Sequence, residues 1–361
     1  MRSKRNIIER FKFLFPKFLR EDYSPYKCRV SANRENYDLR ARRIHLQNII
    51  KTWINTGQNP FIKPVECKEC LFDTRIPNIY IGRDGLCNMC MTYKQSFKPE
   101  IIAKELETFL NTPREKGTSL DAVVAFSGGK DSTVSLYLAR KKFNLDVVAV
   151  LVDNGFIPEA VIENGQSFCK KMGVGLVILD INFAPYVKKM MDEDFKNGYP
   201  CYKCTEMFHK KIQEYCVRNR INRVILGRNW WRWLEPEVRS VRCLKDEKSG
   251  LNIQFLSLPF ALQLTENSVK TMLEKEGWSP VKIHGNSTNC LIPGLVEYTL
   301  YKRLGYHPEL NLLSREVITG YLDKEKAKED LKDIKDLSPT LRRIVCKKLE
   351  EVKTTKQVSE W

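Results

Sequence analysis

The chain has 361 residues, 42% of them hydrophobic, enough for about two domains with cores of their own. No apolar run approaches the ~20 residues a membrane-spanning helix needs. The run FKFLFPKFL (11–19) is broken by lysines and lacks a small-residue cleavage site, so a cytoplasmic protein is expected rather than a membrane or secreted one. The net charge of +17 points to phosphate-rich partners, and the 12 cysteines, six of them in Cys-x2-Cys pairs, read as metal or sulfur chemistry rather than disulfides.

Residues 1–60 form a basic leader, with 14 Lys and Arg against 5 Asp and Glu up to residue 55. Two readings are open for it: an arm that lies on RNA or peripherally on an anionic membrane, or a partly helical segment packed on the next domain. Residues 61–98 are a Cys-rich unit. Cys67, Cys70, Cys87 and Cys90 follow the spacing Cys-x2-Cys-x16-Cys-x2-Cys. Four thiolates on two knuckles close a tetrahedron around Zn²⁺, as in a zinc ribbon, and leave no open position for catalysis.

From about residue 119 the pattern alternates. DAVVAF (121–126) reads as a buried strand, Ser132 to Lys142 as a helix, and DVVAVLVD (146–153) as a second strand. A helix over 158–172 is opened by Pro158, GLVILD (175–180) is a third strand, 183–196 and 205–219 are helical, and NRVILG (222–227) is a fourth strand. Strands alternating with helices predict an α/β fold, a doubly wound, Rossmann-like parallel sheet, over 99–240. Residues 241–361 read as a mostly helical substrate or partner region.

The chemistry concentrates in SGGKDS (127–132), between the first strand and its helix. It is not a Walker loop, which would need glycine where Val124 stands and Ser or Thr where Asp131 stands. Gly128 and Gly129 still let backbone N–H groups approach an anion, and the helix N-terminus adds positive potential. Ser127 and Ser132 can donate, and Lys130 adds charge. Asp131 makes sense beside phosphate when a divalent cation, Mg²⁺, lies between them.

This hexapeptide resembles the pyrophosphate-binding loop of the PP-loop, or N-type, ATP pyrophosphatases, a superfamily with the adenine nucleotide alpha hydrolase-like (HUP) fold. It includes GMP, asparagine and argininosuccinate synthetases, tRNA-lysidine synthetase and tRNA-thiolating enzymes. The resemblance implies that Ser127, Gly128, Gly129, Lys130, Asp131 and Ser132 hold the pyrophosphate of ATP, with Lys130 and Asp131 catalytic. It also implies that Val152, Asp153 and Asn154, at the end of the second strand, meet the adenosine. Gly227 and Arg228 should border the site. The aromatic run NWWRW from Asn229 either stacks on a base or sugar or packs a loop on the core.

The stretch CKECLFDTRIPNIYIGRDGLCNMCMTY, with Asp73-Thr74 and Gly85-Leu86-Cys87-Asn88, looks like the N-terminal ribbon of the N-acetyl sugar amidotransferases of surface-polysaccharide (lipopolysaccharide) biosynthesis. GYHPELNLLSREVITGYLDKEKA (305–327) resembles the C-terminal region of the same family. That likeness implies an enzyme that adenylates the acetamido oxygen of a nucleotide-linked N-acetyl sugar, releases pyrophosphate and installs nitrogen. A class I glutaminase needs a Cys/His pair on its own domain, and none of His45, His209, His284 and His307 sits in such a context. An N-terminal-nucleophile glutaminase needs a cysteine after the initiator Met, where Arg2 stands. Ammonia is therefore expected from separate glutaminase and cyclase subunits, as the resemblance implies.

GYPCYKC places Cys201 and Cys204 just ahead of the predicted helix from 205, where thiol pKa values tend to fall. With the distant Cys290 they resemble the three-cysteine [4Fe-4S] arrangement of PP-loop thiolation enzymes. Also open are a second zinc site completed by Cys216, Cys243 or His209, a redox pair, and unlinked thiols. The alternative functions are thus a sulfurtransferase acting on tRNA or a small molecule, and a non-catalytic nucleotide-binding scaffold.

Overall fold

A computed structural model describes residues 34–195, 199–231, 235–281, 283, 289–332, 334 and 338–358. Most of the basic leader (1–33) lies outside these, as do Arg232, Trp233 and His284. The chain divides into two compact units, one up to Lys94 and one from Gln95.

In the first unit, helix α1 (Arg34–Thr56) precedes the Cys-rich loop, and α2 (Asn88–Ser96) follows it. The buried Thr52 hydroxyl accepts from Ile81 N–H at 3.0 Å, and Asn55 Nδ2 donates to the Ile81 carbonyl at 3.3 Å. Residues 34–56 of the leader are thus a helix bonded to the Cys-rich loop. The Asp73-Thr74 pair is structural: Asp73 takes the Arg75 N–H at 2.7 Å and the Arg75 guanidinium, while the Thr74 hydroxyl accepts from Val65 N–H at 3.0 Å.

The second unit is built on a six-stranded sheet of order β3-β2-β1-β4-β6-β5. The strands are β1 (Ala122–Ala125), β2 (Val147–Asp153), β3 (Gly175–Asp180), β4 (Arg223–Leu226), β5 (Val241–Lys245) and β6 (Asn252–Ser257). All neighbours run parallel except β5, which is antiparallel to β6. Alternate residues point to opposite faces. Val123, Ala125, Val148, Val150, Val224, Leu226, Ile253 and Phe255 share one face and pack against Ile212 and Cys216 of the helix before β4.

The helices of this unit are α3 (Pro99–Asn111), α4 (Lys130–Tyr137, continued as a π turn over Leu138–Lys142), α5 (Glu159–Met172), α6 (Ala184–Asp192) and α7 (Cys201–Asn219). After β6 come α8 (Leu258–Ala261), α9 (Glu266–Lys275), α10 (Ile292–Leu304), α11 (Leu310–Ile318), α12 (Lys324–Lys332) and α13 (Ser338–Val358). A second apolar cluster joins α6, α10 and α13 through Val187, Met190, Leu295, Val296, Leu341 and Val345. No described helix is long and apolar enough to cross a membrane.

Two differences from the sequence reading matter. The sheet does not end at residue 240: β5 and β6 form a hairpin, and β6 pairs with β4, so residues 241–257 belong to the α/β body rather than to a helical region. The polar, largely exposed strand VRCLK hides this hairpin from periodicity. In addition, α7 begins at Cys201, so both cysteines of the Cys-x2-Cys pair lie in its first turn rather than ahead of it.

The end of the sheet opposite the glycine turn is closed by one buried cation. Arg223 is 2% exposed; it donates to the carbonyls of Phe109, Leu110 and Asp121 and to Asp121 Oδ1, at 2.8–3.0 Å. The carbonyls at the end of α3 and the start of β1 are thereby satisfied.

Candidate functional site

A cleft of 430 Å³ opens where β1 lies between β2 and β4. In an open α/β sheet the strand order reverses at such a point, and ligands enter beyond the carboxyl ends of the strands. Ser127, Gly129, Lys130, Asp131 and Ser132 line it from the turn after β1, Val152 and Asn154 from β2, and Gly227, Arg228 and Trp230 from β4.

The turn is held from within. Ser127 N–H donates to the Ser132 hydroxyl at 3.1 Å, and the hydroxyls of Ser132 and Thr133 each donate to the Gly129 carbonyl at 2.9 Å. Gly129 is the N-cap of α4 and offers no side-chain cap, so the first-turn N–H groups of this helix are open to a ligand anion. Gly128 has φ +76° and lies against α5: a Cβ there would come within 2.7 Å of Val161 Cγ1. It therefore packs the turn and is not among the residues that line the cleft. Gly227 brings β4 against the same turn, since a Cβ would sit 2.5 Å from the Ser132 nitrogen and 2.6 Å from the Asp131 carbonyl carbon. Asp153 is likewise not among the residues that line the cleft, and its carboxylate accepts from Gly155 N–H at 2.8 Å.

NWWRW divides between its two readings. Trp230 lines the cleft with the Arg315 guanidinium 4.8 Å over its ring, whereas Trp231 is 1% exposed in the core. Asn229 is buried and donates to Glu316 Oε1 at 3.0 Å.

Sequence reasoning missed the groups behind the loop. Lys130 Nζ lies 3.5 Å from Asp131 Oδ2 and 3.7 Å from Glu266 Oε1. Glu266 sits in the first turn of α9, placed by the Thr265–Ser268 capping box, and also pairs with Lys270 and Lys326. The Tyr321 hydroxyl donates to Asp131 Oδ1. Burial alone would lower the Lys130 pKa, but Asp131, Glu316 and Glu266 outweigh it and raise it, so the ammonium persists. Burial, reinforced by Asp131, pushes the Glu316 carboxyl up to about 7 against the pull of Lys130 and Asn229. Burial and the neighbouring carboxylates raise the Tyr321 phenol well above its ordinary range, so it stays a donor. Glu316 and Tyr321 both lie in the tail 305–327, the signal that could have found them.

The distant Cys290 lines the same cleft as Cys201 and Cys204, though the three are not gathered within 4.8 Å as the tetrad is. Cys201, Cys204 and Cys290 line the cleft at the rim of the second apolar cluster, and Asn154 Nδ2 donates to Cys204 Sγ at 3.4 Å and to Cys290 Sγ at 3.6 Å. The expected lowering of thiol pKa at the start of α7 is not found. Burial pushes Cys204 up and Cys290 up to about 11, and burial with the neighbouring thiols raises Cys201 strongly. Desolvation of the thiolate outweighs the helix N-terminus here. His209 lines the same cleft, 3.5 Å from Arg228. Cys216 is buried beneath the sheet and Cys243 is exposed on the edge strand, so neither completes this set.

In the first unit, Cys67, Cys70, Cys87 and Cys90 are all buried with their sulfurs within 4.8 Å of one another, and no other described group of His, Cys, Asp or Glu meets that spacing. Cys67 receives the Cys87 N–H at 3.2 Å, Cys70 that of Phe72 at 3.4 Å, and Cys87 that of Cys90 at 3.4 Å. A four-sulfur donor set of this size fits a soft tetrahedral ion.

The family model described as "Queuosine biosynthesis protein QueC" matches residues 121–221, the stretch from β1 to the end of α7. A 7-cyano-7-deazaguanine synthase of Clostridium botulinum is 41% identical over 61 residues, 17% of this chain and 27% of that enzyme. The chain is a PP-loop protein. An NH(3)-dependent NAD(+) synthetase of Hyperthermus butylicus is 32% identical over 84 residues, 23% of the chain and 30% of that enzyme. An uncharacterized protein of Methanocaldococcus jannaschii is 28% identical over 288 residues, 77% of this chain and 98% of that protein. The chain therefore spans nearly all of one relative and under a third of the two named enzymes. Among solved structures, the U34-tRNA thiolase NcsA from Methanococcus maripaludis with its [4Fe-4S] cluster overlaps 75% of this chain and 89% of its own, at 17% identity and a TM-score of 0.36. An overlap that loose carries no argument about function. The named relatives are synthases and a synthetase, and the family-model match takes in the turn after β1.

Proposed function

We propose that this PP-loop protein adenylates an oxygen of its acceptor and then replaces that oxygen with nitrogen, the acceptor being the acetamido group of a nucleotide-linked N-acetyl sugar. The observation that carries the first half is the uncapped α4 N-terminus, with Lys130 charged and Asp131 beside it, at the reversal of strand order. In this reading the acceptor oxygen attacks the α-phosphorus of ATP, the bond from that phosphorus to the bridging oxygen breaks, and pyrophosphate leaves. The first-turn N–H groups and Lys130 stabilise its growing charge, which costs no reorganisation because they are already in place. Ammonia then attacks the activated carbon, AMP departs with the oxygen, and the proton lost from nitrogen goes to solvent. Asp131 suits Mg²⁺, which prefers one or two carboxylates plus substrate phosphates; that ion supplies charge neutralisation on the phosphates. The NH(3)-dependent relative supports nitrogen as the atom delivered, and separate glutaminase and cyclase subunits would supply it. The buried tetrad is read as structural zinc, since four thiolates leave no open position.

A second reading, sulfur transfer to tRNA or a small molecule, is favoured by one observation: Cys201, Cys204 and Cys290 share the cleft with the loop and with Asn154. Their donor type suits an iron–sulfur cluster. The readings separate by assay. Pyrophosphate release that depends on a nucleotide-linked N-acetyl sugar supports the first. A brown, air-sensitive protein whose activity is lost in Cys290→Ala, with no sugar dependence, supports the second. ATP binding with no pyrophosphate release under any acceptor would leave only a scaffold. In either enzymatic reading Lys130→Ala should reduce turnover by at least about a hundredfold with the fold retained by circular dichroism; unchanged turnover would remove the loop from the mechanism.

A further inference from the structure

The tail beyond the α/β body reaches back into the PP-loop, and the loop motif does not account for that contact. Asp131 has two carboxylate oxygens with different fates. Oδ1 receives the Tyr321 hydroxyl, whereas Oδ2 lies 3.5 Å from Lys130 Nζ, and both Asp131 and Lys130 line the cleft. Tyr321 itself is held at both backbone ends: its N–H donates to the Glu316 carbonyl at 3.0 Å, and its carbonyl accepts from Glu266 N–H at 2.8 Å. It is 3% exposed, so its ring is closely packed. Glu266, fixed by that bond, is the same residue that pairs with Lys130. Tyr321 and Glu266, two segments tied by that backbone bond, thus hold the two charged residues of the loop.

We infer that Tyr321 is a positioning residue for the divalent cation that accompanies ATP: it anchors Asp131 by Oδ1 and so presents Oδ2 to the cation. This rests on the ATP-dependent reading above and adds a residue to it. A carboxylate held by one oxygen needs no reordering when the cation arrives, whereas a free one loses rotamer entropy on binding. Removing the hydroxyl should therefore weaken binding only when the cation takes part.

The test uses the full chain and α,β-methylene-ATP, which cannot release pyrophosphate, titrated by calorimetry in Mg²⁺ and again in EDTA. Tyr321→Phe should weaken the Mg²⁺-dependent affinity about tenfold, the order expected for one hydrogen bond to a charged group, and leave the affinity in EDTA within about twofold. In an Asp131→Asn background, adding Tyr321→Phe should cost nothing further, since the two act as one unit. Equal losses with and without Mg²⁺ would make Tyr321 a packing residue and overturn the inference. So would an unchanged affinity, or additive losses in the double variant. If the wild-type chain bound no nucleotide at all, the parent reading would fall as well; binding that ignores Tyr321→Phe would overturn this inference alone.

Discussion

Glu316→Gln tests the electrostatics behind the PP-loop. Glu316 is 7% exposed, accepts from Asn229 and lies near Lys130, Asp131 and Glu266. Its carboxyl titrates near 7 in the fold against about 4.5 for an ordinary glutamate, so the fold prefers the protonated form. The stability this lends is complete below pH 4.5 and is lost as pH rises through 7. At 1.36 kcal/mol for each tenfold change in proton affinity, the loss is roughly 3 kcal/mol. Glutamine keeps the acceptor for Asn229 and never ionises. Denaturant unfolding of both proteins between pH 4.5 and 8 should therefore show the variant gaining roughly 3 kcal/mol relative to wild type as pH rises. His307 works in the opposite direction: burial lowers it to about 4, so the fold loses stability as pH falls below 6.5. That contribution is common to both proteins and cancels in the difference. Parallel pH profiles would refute the reasoning, because they would mean that Glu316 is ionised in the fold as readily as in the unfolded chain.

Gly227→Ala would drive a methyl group into the backbone of Asp131 and Ser132, at 2.6 and 2.5 Å, where no side chain can swing away. A stability loss of about 1–3 kcal/mol is expected with weaker binding of α,β-methylene-ATP, read by thermal unfolding and calorimetry; wild-type affinity would mean the turn is not held by this contact. Cys70→Ser should remove one equivalent of bound metal per chain, measured by elemental analysis of the purified protein. A metal-free wild type, or a variant with undiminished metal, would exclude the tetrad as its site.

The local pattern determined much of this protein. Apolar runs bounded by turns placed β1 to β4 within a residue or two: β1, β2 and β4 are buried as such a run demands, whereas β3 is a half-exposed edge strand that keeps the apolar pattern. Paired cysteines at ribbon spacing named the tetrad, and SGGKDS named the loop, since strand, glycine turn and helix are contiguous in the chain. Apart from the grouping of Cys290 with Cys201 and Cys204, which the family resemblance suggested, contacts between distant segments were not legible. VRCLK becomes a strand only because β6 is there to pair with it. Cys201 and Cys204 read as thiols activated by a helix end, yet the apolar cluster of α6, α10 and α13 around them raises their pKa instead. Asp131 could be recognised from its neighbours in sequence, but Tyr321, 190 residues away, holds it, and no periodicity encodes that pairing. Sequence reports what each segment prefers by itself, whereas burial, charge pairing and the assembly of a cleft are sums over groups that only the folded chain brings within a few ångströms.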